Sequence, residues 1–246
     1  MFKVVAIPAL QDNYIWIITH NDHCVVVDPG DAAPVTHFIN QQQLKLDTII
    51  ITHHHHDHTG GLPALIEHYQ PKVIGPSSIN EINHPVTGGD TIVLLQGALT
   101  LAVIATPGHT LDHLCYANTQ VMFCGDTLFA CGCGRLFEGN AEQMLNSLCK
   151  LLEYPDGCKV YCAHEYTHNN VQFALENDPD NNKIIEYLRA IQHKSHTLPT
   201  TIRQEKQLNP FVKICCSNHS VTDKISKLLY LRKLKDNWQP KLEKNQ

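Results

Sequence analysis

Short apolar runs alternate with polar turns along the first two thirds of the chain. The strand-like runs are Lys3–Pro8, Tyr14–Thr19, Cys24–Asp28, Thr48–Thr52, Lys72–Gly75, Thr91–Leu95, Leu99–Ala105, Leu114–Ala117, Val121–Gly125 and Lys159–Ala163. They are rich in Val, Ile, Leu or aromatic residues and bounded by Gly, Pro, Asn or Asp, as strands of a sheet are. Helical spacing appears at Pro34–Gln43, Leu62–Tyr69 and Ala141–Glu153. In the last of these, Met144, Leu145, Leu148, Leu151 and Leu152 recur three and four residues apart. Strands and helices interleaved in this way predict an α/β domain in which helices cover sheets. The texture changes after Ala163. Asn169–Glu176, Lys183–His196 and Thr222–Lys235 read as helices, joined by polar segments containing Pro179, Pro199 and Pro210. Two domains are therefore predicted, residues 1–165 and residues 166–246, the second one helical.

A chain of 246 residues with 43% apolar and 17% charged residues can bury a core and is no candidate for extended disorder. No apolar run reaches the ~18 residues of a membrane span, and the first residues do not read as a secretory leader. The net charge of −5 argues against a general grip on nucleic acid. That charge is uneven. Residues 222–246 hold seven basic and three acidic residues, a net +4, which leaves −9 on the rest. The tail is thus the local place for an anionic ligand. Most of the ten cysteines sit in apolar runs and read as reduced thiols of a cytoplasmic protein. Cys131-Gly-Cys133 lacks the usual two-residue gap of a metal or redox pair.

Histidine changes the picture. There are 17, four of them consecutive, in Thr52-His53-His54-His55-His56-Asp57-His58-Thr59-Gly60-Gly61. A purification tag sits at a terminus, and this run follows a strand. A metal-binding loop at the carboxyl end of a strand fits better, because ligand sites of α/β sheets form there. His53 and His55 point the same way on an extended backbone. One loop cannot complete two coordination spheres. Three further strand ends offer donors: His109 in Thr106–Thr110, Asp126 after Val121–Gly125, and His164 after Lys159–Ala163. Imidazole and carboxylate donors suit Zn, Fe or Mn.

The pattern T-H-x-H-x-D-H, then P-G-H-T, then G-D, then a later His, resembles the metallo-β-lactamase superfamily. Within it, the chain is most similar to the glyoxalase II, or hydroxyacylglutathione hydrolase, family. The matching stretches are Asp12–Tyr14, Val27–Gly30, Thr52–Gly61, Thr106–Thr110, Gly125–Phe129, Gly132–Gly139, Ala163–Thr167, Asn209–Phe211 and Arg232–Asp236. They cover nearly the whole chain. The first motif marks only the superfamily; G-C-G-R-x-F-E-G, H-E-Y-T and the basic tail are far more specific.

The resemblance implies a four-layer αββα sandwich with a smaller C-terminal helical domain. It implies two divalent metal ions, Zn foremost with Fe or Mn possible. His53, His55 and His109 would hold the first, Asp57, His58 and His164 the second, and Asp126 would bridge them. His54 and His56 fall on non-ligand positions, and His84, His113 and His168 read as structural or surface residues. Asp57 and Asp126 would also serve the chemistry, in which a water acidified between two metals attacks a carbonyl. The implied substrate is S-D-lactoylglutathione, hydrolysed to D-lactate and glutathione in methylglyoxal disposal. Arg135, Tyr166, Arg232 and Lys235 would contact the glutathione moiety. Arg135 stands where some members have Lys, and Phe137 where some have Tyr. A cytoplasmic monomer acting on a small molecule, without nucleic acid or membrane, is the expectation.

Two rival activities come from the same superfamily. One is hydrolysis of RNA, lactams or lactones, for which the acidic first 221 residues and the basic tail are poorly suited. The other is a single-iron persulfide dioxygenase, which lacks the second ligand set present here. A non-enzymatic metal-binding module is a third class, which the ligand order disfavours.

Overall fold

The computed structural model describes residues 1–240. The first sheet contains β1 (Lys3–Ala9), β2 (Asn13–His20), β3 (His23–Val27), β4 (Lys45–Ile50), β5 (Lys72–Gly75) and β6 (His84–Pro85), paired in that order. The first three strands run antiparallel; β3 to β6 run parallel. Helices α1 (Ala32–Gln42), α2 (His56–Thr59) and α3 (Leu62–Tyr69) arise from its crossovers. The second sheet begins with β7 (Thr91–Leu94), β8 (Leu99–Ala105), β9 (Leu114–Ala117) and β10 (Val121–Gly125). A ribbon, β11 (Leu128–Phe129) and β12 (Gly132–Cys133), follows, then α4 (Ala141–Leu151) and β13 (Lys159–Cys162).

Alternation along the strands builds the layers. Tyr14, Trp16 and Ile18 of β2 face the second sheet and meet Leu101, Val103, Tyr116 and Phe123. Ile15 and Ile17, one residue out of phase, face Val35 and Ile39 of α1 and Leu62 and Leu65 of α3. On the far side, Cys115, Met122 and Cys124 pack under Met144 and Leu148 of α4. Period-two side chains on two sheets and a 3.6-period stripe on each helix thus give an αββα sandwich.

The remaining chain is helical: α5 (Thr167–Asn177), α6 (Asn182–Ile191), a two-residue strand β14 (Thr200–Thr201), α7 (Ile202–Leu208), α8 (Pro210–Cys216) and α9 (Val221–Asn237). β14 pairs with β13, so residues beyond 165 supply an edge strand of the second sheet. The predicted helix 183–196 ends at Ile191, and the chain then runs through a cis Leu198–Pro199 bond into β14. α7 and α8 were not expected from the apolar pattern. Each has only seven residues, too few for a visible period. Their signal is in their caps: Thr201 Oγ1 accepts from Gln204 N, and Asn209 Oδ1 accepts from Phe211 N with Pro210 at the first position. Among the described residues no helix is long and apolar enough to cross a membrane.

Candidate active site

The carboxyl ends of β3, β4, β8, β10 and β13 meet at one edge of the sandwich. Backbone bonds join the two sheets there: Tyr14 N donates to Ala163 O (2.6 Å) and Glu165 N to Asp12 O (2.9 Å). Each strand end delivers one polar group. His53 follows β4, His109 follows β8, Asp126 follows β10 and His164 follows β13. Gly125 turns the chain before Asp126 with a φ of +46°, and a side chain there would strike Thr52 and His113.

Seven donors converge. His53 Nε2 lies 3.1 Å from His55 Nδ1, and His109 Nε2 also lies 3.1 Å from it. Asp57 Oδ2 is 3.4 Å from both His58 Nε2 and His164 Nε2. Asp126 lies between the sets: Oδ2 is 3.4 Å from His109 Nε2, and Oδ1 is 3.5 Å from His58 Nε2 and 3.4 Å from His164 Nε2. These are His/Asp clusters of the kind that hold metal in a binuclear metallo-β-lactamase site. His58 Nε2 and Asp126 Oδ1 are buried with no hydrogen-bond partner among the described residues. Buried polar atoms are ordinarily satisfied, so this pair of orphans fits missing cations.

The outer nitrogens of four histidines are anchored, which aims each Nε2 inward. His53 Nδ1 meets Thr52 Oγ1 (3.0 Å), His58 Nδ1 meets Asp28 Oδ2 (3.1 Å), His109 Nδ1 meets Arg135 O (2.9 Å) and His164 Nδ1 meets Asp12 Oδ1 (2.8 Å). Asn13 Nδ2 donates to Asp57 Oδ2 at 3.0 Å. Burial opposes ionisation of Asp57 and Asp126, but His164 and His58 outweigh it and hold both carboxyls well below the usual range. Burial and neighbouring rings push His53 and His109 down, whereas the carboxylates around His58 overcome its burial and hold it up to about 10. The centre is thus anionic carboxylate packed among nitrogen donors, suited to divalent cations.

Residues 9–83 and 74–164 match the metallo-beta-lactamase superfamily, and residues 165–238 match the hydroxyacylglutathione hydrolase C-terminus. The hydroxyacylglutathione hydrolase of Aliivibrio fischeri is 48% identical over 235 residues, covering 92% of this chain and 92% of that one. Its counterpart in Nitrosomonas eutropha is 44% identical over 255 residues, covering 97% of this chain and all of that one (100%). The chain belongs to the hydroxyacylglutathione hydrolase family. Among solved structures, ETHE1 from Myxococcus xanthus superposes with a TM-score of 0.69 at 27% identity, covering 99% of this chain and 93% of that chain.

A cleft of about 410 Å³ runs from His109 and Asp126 to the helical segment. Its walls include all four residues that the family resemblance assigns to substrate: Arg135, Tyr166, Arg232 and Lys235. Tyr166 lies flat against His164, with ring centroids 4.8 Å apart and planes 3° apart. Arg135 is exposed, with Nε 3.3 Å from Asp236 Oδ1. Arg232, which the resemblance assigns to glutathione, lines the cleft but is already paired. It is buried, and its guanidinium donates to Cys133 O (2.7 Å) and to Asp236 Oδ1 (3.0 Å). Lys235 Nζ donates to Asn169 O (3.1 Å) and sits 4.1 Å from the Trp238 ring centroid. Phe137 projects into solvent, edge-on to His55 and His109.

Several family residues escaped the sequence reading as individuals. Asp28 follows β3 and accepts from Thr52 N (2.7 Å) and Thr52 Oγ1 (2.7 Å) while holding His58. Asp12 and Asn13 do the same for His164 and Asp57. Their signals were position at strand ends and membership of the matching stretches Asp12–Tyr14 and Val27–Gly30, neither of which gives a role to a single residue. His113, read as structural, supports the site directly: Asp126 N donates to its Nε2 (3.1 Å), and its ring stacks on His53. His54 points away from the donors, clamped by Asp112 and Glu138, and His56 opens α2 on the surface.

Proposed function

We propose that His53, His55 and His109 hold one divalent ion, Asp57, His58 and His164 a second, and that Asp126 spans both. In this reading the centre hydrolyses S-D-lactoylglutathione and related 2-hydroxyacyl thioesters to glutathione and the 2-hydroxy acid. One observation carries it: His109 and Asp126 line a cleft whose far wall, on α9, bears the Lys235 ammonium, and the same two residues, with Tyr166, line the hollow that holds Asp57 and His164. Zinc is the first choice of metal, with iron or manganese as alternatives for this donor set. When bound, two such ions supply Lewis acidity, acidifying a water and polarising the thioester carbonyl.

The chain's own residues do the rest. Asp57 and Asp126 remain ionised and keep their oxygens directed inward, the first held by Asn13 and the second by its backbone bond to His113. Burial pushes the Tyr166 phenol up to about 12, so it stays protonated at neutral pH. The leaving group is a thiolate with a reference pKa of ~8.5, so its departure requires no dedicated acid. The acyl carbon gains the water oxygen, the C–S bond breaks, and the released sulfur takes up a proton. The basic tail attracts the carboxylates of glutathione, remote from the scissile bond. The complete second donor set disfavours single-metal chemistry. The enzyme works in this reading as a cytoplasmic monomer on a small anionic substrate.

The test is release of thiol from S-D-lactoylglutathione by metal-loaded protein, measured beside D-lactate. Equal amounts of both are expected, with lactones, lactams and RNA left intact. No thiol release from protein carrying two metals would overturn the reading.

A further inference from the structure

The ribbon β11–β12 stands between the donor cluster and the helical segment. Its strands pair with each other, Leu128 with Cys133 and Phe129 with Gly132, and belong to neither six-stranded sheet. A lone two-stranded ribbon is marginal by itself, so its position depends on what holds it. One side of it bears on three of the converging donors. Gly134, directly after β12, packs so closely that an added side chain would strike Asp126 O and the His109 side chain. The carbonyl of the next residue, Arg135, accepts from His109 Nδ1 (2.9 Å). Phe129 meets the His164 ring edge-on, with centroids 5.9 Å apart.

The other side is gripped by side chains from beyond residue 165. Every residue from Phe129 to Cys133 gives one backbone group to them. Asn209 Nδ2 donates to Phe129 O (3.2 Å) and Gly132 O (2.9 Å), Asn170 Nδ2 to Ala130 O (3.0 Å) and Arg232 to Cys133 O (2.7 Å). Cys131 N donates to Glu205 Oε2 (2.9 Å), which also accepts from Asn209 Nδ2 (3.0 Å). All four side chains are buried, so bulk water cannot take their place. Cys131, at the tip, has a φ of +56°, which a residue with a side chain rarely adopts. Such a conformation persists where the surroundings over-determine it. Asn209 is the hub: its amide nitrogen serves both strands and Glu205, while its Oδ1 caps α8.

We propose that Asn209 is a positioning residue of the metal centre: by fixing the ribbon, it holds Asp126, His109 and His164 at the mutual spacing that bound cations need. The helical segment then shapes the centre as well as lining the substrate cleft. The inference rests on the metal assignment proposed above, but not on the thioester as substrate. Groups that orient metal ligands from behind are worth ~10–100-fold in metal affinity or activity.

The experiment measures zinc affinity of the full chain by competition with a chelator, beside melting temperature and kinetics. Asn209→Ser keeps an oxygen to cap α8 but is too short to bridge the two ribbon carbonyls. Its zinc affinity is expected to fall about tenfold or more, and kcat on a simple thioester without glutathione to fall by a similar factor. Native affinity with a lowered melting temperature would make Asn209 a fold-stabilising residue and overturn the proposal. So would a loss confined to KM for the glutathione thioester. Asn170→Ala frees Ala130 O without removing a helix cap and gives the same comparison if Asn209→Ser does not fold. In the native chain, amide exchange of residues 128–134 should slow when zinc is added to metal-free protein, because coupling between ribbon and metal is reciprocal. Identical exchange with and without bound zinc would overturn the proposal without any variant. A native chain that takes up no zinc would overturn the metal assignment and the positioning role together.

Discussion

His58 Nε2 and Asp126 Oδ1 lie 3.5 Å apart, both buried, and neither has a hydrogen-bond partner among the described residues. An unsatisfied buried polar group costs ~1–3 kcal/mol. Two of them facing each other are arranged for a cation that both can bind. Asp126 also faces His109, so its loss injures both donor sets. Asp126→Ala is expected to lose binuclear metal content and at least about 10²-fold in turnover, more than removal of an outer-sphere partner costs. Metal analysis beside kinetics checks this. Two retained metals with near-normal turnover would refute the bridging role.

His54 sits among the proposed ligands in sequence but not in space. Its Nδ1 is 3.1 Å from Asp112 Oδ2 and its Nε2 is 3.1 Å from Glu138 Oε1, on the exposed side of the loop. Exposed ion pairs contribute ~0–1 kcal/mol. His54→Ala should therefore keep both metals, whereas His53→Ala or His55→Ala should empty one site. The assignment within the run fails if His54→Ala strips metal as thoroughly as His53→Ala.

The two tail cations have different duties in the structure. Arg232 is tied to Cys133 O and Asp236, so Arg232→Ala should lower the melting temperature by removing charge-assisted bonds, ~1.5–3 kcal/mol in all. Lys235→Met should leave folding nearly intact and raise KM more than kcat, as loss of a contact remote from the reacting carbon does. The double alanine variant should raise KM about tenfold or more, ~1.5–3 kcal/mol, with metals retained. Burial, aided by Arg232, lowers the Lys235 amine to about 8. Its attraction for a carboxylate is present below that pH and fades above it. KM for the glutathione thioester should therefore climb through pH 8 in the native chain and stay flat in Lys235→Met. A simple thioester without carboxylates should show neither effect.

Much of this was legible in the sequence because the ligands are local events. A donor directly after an apolar run is visible at His53, Asp126 and His164, and interleaved strands and helices predict helices covering sheets, whereas the four-layer αββα order was implied only by the family resemblance. What was hidden depends on contacts between distant segments. Asp28, Asp12 and His113 look like ordinary strand-end residues until the sheets bring them behind His58, His164 and Asp126. Arg232 reads as a surface cation on a basic helix, yet its carbonyl partner lies 99 residues earlier. The helices α7 and α8 are too short for periodicity to reveal, and only their caps mark them.

A buried carboxyl stitches the helical segment to the site. Glu205 Oε2 accepts from Cys131 N (2.9 Å) and Asn209 Nδ2 (3.0 Å), and burial raises its pKa from 4.5 to about 7. Between those values the folded chain keeps a proton that the unfolded chain has lost. Stability contributed by this group therefore falls as pH rises from 4.5 to about 7 and stays lower above it. The full effect is about 3 kcal/mol at 1.36 kcal/mol per unit. Glu205→Gln keeps an acceptor for both donors without the charge. The variant should match the native chain near pH 5 and melt higher above pH 7. Parallel melting curves across that range would exclude Glu205 as the source.

Thioester hydrolysis followed against bound metal tests the central claim most directly. Metal-free protein is loaded stepwise, and thiol release from S-D-lactoylglutathione is measured at each step. With two donor sets joined by Asp126, the expected rate stays low at the first equivalent per chain and rises to its plateau at the second. Full activity at one equivalent, or none at two, would contradict the account.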